Sequence, residues 1–121
     1  MKIRIRGNSI RYRLTKSEVE TFCNTGRLEE TTDFGNTIFT YALEAKEGID
    51  TLAAQFRDQT ITLFLETGMS KIWFESNQIG FSRSVRGLNG SELKLLIEKD
   101  FVCMDEREED QSDNYPNPKM R

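Results

Sequence analysis

The chain has no histidine at all. That removes every Ser-His-Asp or Cys-His nucleophile pair and every zinc site built on imidazole. Cysteine is nearly as scarce: Cys23 and Cys103 stand far apart and make no disulfide framework. No apolar run approaches the roughly 20 residues that cross a bilayer, so no membrane span is expected. The N-terminus enters an alternating pattern at once, without the charged, apolar and small-residue segments of a secretory signal, which predicts a cytoplasmic protein. Basic excess is lacking too. A formal net charge of -3 and an isoelectric point near 5.1 argue against nucleic acid as a partner. At 121 residues, 31% of them charged and 36% hydrophobic, the chain is long enough to bury one core without staples.

Against that acidic average stands the opening stretch KIRIRGNSIRYRL, residues 2–14. Side chains alternate across a strand, so Ile3 and Ile5 share one face while Lys2, Arg4 and Arg6 share the other. The second run repeats this, with Ile10, Tyr12 and Leu14 opposite Arg11 and Arg13, and residues 7–9 form the turn of a hairpin. A helix start follows. Thr15 with Glu18 three positions on makes a capping box, Leu14 and Val19 are spaced for a hydrophobic staple, and Gly26 can take the left-handed conformation that ends the helix.

Two strands, 28–34 and 38–44, then flank a turn at Gly35 and Asn36. Strands at 52–57 and 60–66 flank a turn at Asp58 and Gln59. A short helix over 68–76 carries Met69, Ile72 and Trp73, and the last strands fall at 78–85 and 92–99 around the loop RGLNGS. The order hairpin, helix, hairpin thus occurs twice. A gapless slide of 51 positions places Arg6 on Arg57, Ile10 on Ile61, Leu14 on Leu65, Phe22 on Trp73, Gly26 on Asn77, Leu28 on Ile79 and Phe34 on Val85, which suggests an internal duplication. The reading is an α+β domain over 1–104, with repeats at about 2–44 and 52–99, and an acidic tail over 105–121. Its mostly antiparallel eight-stranded sheet should curl into a barrel or half-pipe, with the two short helices plugging or flanking it.

The candidate site is the charged face of the first hairpin: Lys2, Arg4, Arg6, Arg11 and Arg13. Period-two counting adds Arg57 and Lys94 to it, with Glu29, Asp33, Glu44, Glu66 and Glu98. Such a face is either a solvated surface of mixed charge or, if curling turns it inward, a set of guanidinium forks converging on a phosphate or carboxylate. The tail, DEREEDQSDNYPNPKMR, packs six acids into 105–113 before Tyr115, Pro116 and Pro118. Its composition suits a solvated tail, or a cover lying across the basic hairpin with Tyr115 and the prolines pinning its end. There is no Asp-x-Asp-x-Asp-Gly loop, so neither a dedicated metal site nor a cofactor is expected. Cys23, Cys103 and Trp73 read as structural residues, and RGLNGS lacks the strand-to-helix setting of a phosphate loop.

The opening KIRIRGNSIRYRLTKSEVETF, the late LLIEKDFVC and the closing PNP resemble an uncharacterised family of short bacterial proteins, a domain of unknown function, across nearly the full length. The repeated strand-helix-strand order also resembles the CYTH-like triphosphate tunnel enzymes. That resemblance implies an antiparallel barrel around a charged channel. Where those enzymes carry Glu-x-Glu-x-Lys on the first strand, Lys2, Arg4 and Arg6 alternate here, so metal-holding carboxylates would come from Glu66, Glu98 or Asp100. Two functions follow: a binding or interaction domain whose basic face meets an anionic small molecule, an acidic protein segment or its own tail, and a metal-dependent phosphohydrolase in which Arg4, Arg6, Arg11 and Arg13 grip phosphate.

Overall fold

Strands form wherever apolar and polar residues alternate: β1 (Lys2–Arg6), β2 (Ser9–Leu14), β3 (Arg27–Asp33), β4 (Ile38–Lys46), β5 (Leu52–Arg57), β6 (Thr60–Glu66), β7 (Gly80–Arg86) and β8 (Glu92–Lys99). The structure, a computed structural model, describes residues 1–100; the expectations for Cys103, Tyr115 and the acidic tail lie outside the described residues. Helix α1 (Lys16–Thr25) starts at the expected capping box. Thr15 accepts from the Glu18 amide and the Glu18 carboxylate accepts from the Thr15 amide. It ends at Gly26, whose φ of 81° is the left-handed cap. Helix α2 (Thr67–Ile72) is shorter than the spacing predicted, because Trp73 already serves as its C-cap.

The eight strands do not make one curled sheet or a barrel. They form two four-stranded sheets, in the orders β1-β2-β8-β7 and β3-β4-β6-β5. Each hairpin is antiparallel, but the two hairpins within a sheet meet through a parallel pair, β2 with β8 and β4 with β6. Alternation fixes which side chains share a face and leaves the choice of partner strand open. Here that choice joins strands far apart in the chain. Each sheet takes one hairpin from the first half and one from the second.

The pairing registers of the two sheets correspond. In the first hairpin Lys2 faces Arg13 and Arg6 faces Ser9; 51 positions on, Ala53 faces Phe64 and Arg57 faces Thr60. The second hairpins correspond at a different offset, so that Leu28 opposite Leu43 matches Phe81 opposite Ile97. Leu28 therefore corresponds to Phe81 and not to Ile79, which is exposed outside the strand. A gapless slide missed this because the two extra residues lie between α2 and β7.

The inner faces of both sheets share one core, with Tyr12, Leu14, Leu95 and Ile97 from one and Leu43, Leu52, Leu63 and Leu65 from the other, all essentially inaccessible. Val19 and Phe22 of α1 and Trp73 join it. The order of elements puts both helices at the end where β2 and β6 finish, so they close that end of the sandwich. All four hairpin turns gather at the opposite end. There Asp58 and Gln59 both hold positive φ, 53° and 57°, in the left-handed geometry that two-residue hairpins favour. Among the described residues, no helix is long and apolar enough to cross a membrane.

Candidate anion-binding face

With the apolar side chains of β1 and β2 turned inward, their charged residues must face outward. The register sets Lys2 opposite Arg13 and Arg4 opposite Arg11, with Arg6 opposite Ser9 at the turn. Strand β8 continues this outer face with Lys94 beside Ser9, Leu96 beside Arg11 and Glu98 beside Arg13. All five basic residues expected from the sequence thus lie together on one surface.

Carboxylates divide that surface in two. At the helix end, Glu98 accepts from Arg13 Nε at 3.2 Å and lies 3.5 Å from Arg11. Asp100, with only 9% of its side chain exposed, lies 3.3 Å from Lys2 and 4.0 Å from Arg13. At the turn end, Arg4 and Arg6 have no carboxylate within ion-pair distance among the described residues. Arg4, Arg6, Arg11, Ser9 and Leu96 line a depression of about 240 Å³ there. Lys2, Ile3, Arg4, Arg11 and Arg13 line a second of about 330 Å³, and Arg4 and Arg11 border both. The guanidinium groups of Arg4 and Arg6, without an acidic partner among the described residues and next to a serine hydroxyl, suit an oxyanion by charge-assisted, forked hydrogen bonding.

Other residues placed on this face by counting do not belong to it. Arg57, Glu29, Asp33, Glu44 and Glu66 sit on strands of the second sheet. There Arg27 joins Glu29 at 2.7 Å and also pairs with Glu44. Glu66 accepts from the Met69 amide at 3.0 Å as the N-cap of α2, and the amides of Gly68 and Met69 hold its carboxyl below the usual range. Glu66 and Glu98 are thus in different sheets, and among the described residues no group of three or more His, Cys, Asp or Glu side chains is placed to hold a metal. Among the described residues, the charged channel implied by the tunnel-enzyme resemblance does not form. The sheets turn their apolar faces toward each other and their charged faces away.

Two features had no signal in the residue pattern. The Met1 ammonium is partly buried at the β1–β3 seam, paired with Glu18 and, at 2.8 Å, with Glu30, while Tyr41 donates to the Met1 carbonyl at 2.7 Å. Burial alone would push this amine down, and the two carboxylates outweigh it and hold it above the ordinary value. At the corresponding seam, Arg83 donates to the Leu52 carbonyl at 3.2 Å. The second feature is an apolar cleft of about 420 Å³ at the turn end, between the sheets. Cys23, by contrast, is a half-buried free thiol accepting from the Phe74 amide at 3.3 Å, in keeping with a structural residue. Trp73 is fully buried, with its indole N–H donating to the Gln78 carbonyl at 2.9 Å.

The fold and site together define a two-sheet α+β protein with a one-sided basic surface. The chain belongs to a family of unknown function, DUF7009, whose model matches residues 1–119. No curated protein and no solved structure matches it.

Proposed function

We propose that the protein is a non-enzymatic binding domain whose outer basic face takes a carboxylate- or phosphate-bearing partner at Arg4, Arg6 and Arg11. The observation that carries this is the asymmetry of the face: Lys2 and Arg13 are occupied by Glu98 and Asp100, while Arg4 and Arg6 have no acidic partner among the described residues. A merely solvated surface gains little by placing Arg4 directly opposite Arg11, because like charges across a strand pair repel. An incoming anion relieves that repulsion. An acidic polypeptide is the partner class that fits an extended row of forks, and a compact polyphosphate is the small-molecule equivalent. The shared pairing register of the two sheets also supports origin by tandem duplication. In that case the basic face is a specialisation of one copy, since Ala53, Gln55 and Arg57 stand where the first hairpin has Lys2, Arg4 and Arg6.

The test is calorimetric titration of the full chain with hexaglutamate and with triphosphate at low salt, using Arg4→Ala and Arg6→Ala as controls. Binding that weakens in both variants and falls with added salt supports the reading. Equal affinity of the variants and the unaltered chain overturns it.

A further inference from the structure

The apolar cleft at the turn end lies between the sheets and is lined by three pairs of corresponding residues, Ile5 with Phe56, Ile10 with Ile61 and Phe39 with Leu93. Ile5 is 54% exposed and Phe56 70%. The lips of the cleft are therefore large apolar side chains standing in water, which normally marks a surface that something covers.

The chain itself carries a matching segment. Asp100, the last described residue, is held at the helix end of the basic face by Lys2 and Arg13, and 21 residues follow it in the chain. They present, in order, the six acids of 105–113 and then Tyr115, Pro116, Asn117, Pro118, Lys119 and Met120. The basic face presents Lys2 and Arg13, then Arg4 and Arg11, then Arg6, with the apolar cleft beyond. Four residue steps along a strand make about 14 Å, whereas fifteen residues from Asp100 to Tyr115 reach up to about 50 Å. The span is covered with slack enough to round the hairpin tip. The family model likewise extends through residue 119, over this segment as well as the sandwich.

We infer that the apolar cleft is the seat of residues 115–120 of the same chain, with residues 105–113 strapped across the basic face. This rests on the anion-binding reading and adds its regulation: an external anion must displace the strap. Tethering places the segment at roughly millimolar effective concentration, so a weak contact suffices to hold it.

The test uses the full chain labelled with fluorotyrosine, which reports on Tyr12, Tyr41 and Tyr115 alone. With a soluble paramagnetic chelate at low salt, the Tyr115 resonance is expected to be shielded like that of buried Tyr12. It should become solvent-exposed in Phe56→Ser and in Ile5→Thr, two substitutions at exposed sites, and hexaglutamate should then bind more tightly. A Tyr115 signal broadened as fully exposed in the unaltered chain overturns the inference. So does shielding that neither substitution removes, since the seat would then be elsewhere. Exposed Tyr115 with hexaglutamate binding that still depends on Arg4 removes only the strap. Shielded Tyr115, released by Phe56→Ser without any hexaglutamate binding, removes only the anion-binding reading.

Discussion

Glu98 is where stability and binding should pull in opposite directions. Its carboxylate holds Arg13 at 3.2 Å and Arg11 at 3.5 Å, with all three side chains between 20% and 29% exposed. Part-exposed pairs of this kind contribute about 0–1 kcal/mol each. Glu98→Gln keeps an oxygen that Arg13 Nε can still donate to, so the expected loss is about 1 kcal/mol or less, a fall in Tm of up to about 4 °C for a domain of this size. The same substitution removes a negative charge beside the depression lined by Arg4, Arg6 and Arg11. Two unit charges roughly 6 Å apart repel by about 0.7–2.8 kcal/mol at effective dielectric constants between about 80 and 20. Taking about 1 kcal/mol, hexaglutamate should bind Glu98→Gln about fivefold more tightly. Calorimetry at low salt measures the affinity and a thermal melt measures the stability. Unchanged or weaker binding in a folded Glu98→Gln protein would refute the claim that the anion is taken in that depression, beside Arg11.

The remaining predictions concern the framework. The Met1 ammonium pair sets a pH window. Burial opposes ionisation of Glu18, but its bonds to the ammonium and to Thr15 win and lower its pKa, so its contribution is present above the unfolded carboxylate value and is lost as pH falls through the lowered one. The amine's pKa is raised, so its contribution is complete below the unfolded amine value and is lost as pH rises through the folded one. Denaturant melts across the acid and alkaline limbs should show both losses, and Glu18→Gln should flatten them; identical profiles for the two proteins would contradict the pairing. Gly80→Ala should destabilise by about 2 kcal/mol or more, because a Cβ there would stand 2.3 Å from the Ile97 carbonyl oxygen and 2.9 Å from Glu98 Cα; an unaltered denaturation midpoint would show that β7 can shift. Tyr12→Phe removes a buried hydroxyl that donates to the Ile61 carbonyl at 3.2 Å, at an expected cost of about 1 kcal/mol in urea denaturation, and a stabilised protein would contradict that bond.

Local physics was legible in the residue pattern. Thr15, Glu18 and Gly26 specify α1 by satisfying the donors and acceptors that a helix leaves at its ends, and the alternation in residues 2–14 specifies the first hairpin and its basic face. Partner choice was not legible. Nothing in Ile10, Tyr12 or Leu14 says that their neighbours across the parallel ladder are Leu95, Ile97 and Lys99, because any strand of the same alternation would offer the same inner face. The error over Arg57, Glu29 and Glu44 has the same origin, since period-two counting assigns a side to each residue and no sheet. Ile5 illustrates a third limit. It lies on the core face as its parity demands, yet it stands where the sheets part at the turn end, and burial there depends on tertiary distance.

The exchange of hairpins between the two sheets bears on how the protein is made. During synthesis, β1 and β2 emerge first, but their sheet is completed only by β8, which pairs with β2 across more than eighty residues. The second sheet can close once β6 has appeared, because β3 to β6 are then all available. The N-terminal hairpin, with its row of arginines, must therefore wait with one ladder unpaired while the rest of the sandwich is translated. Closure over so long a loop is slow, and an unsatisfied strand edge in the interval is an invitation to mispairing. The charges on the outer face of β1 and β2 repel another copy of the same nascent hairpin, and so oppose that mispairing during assembly.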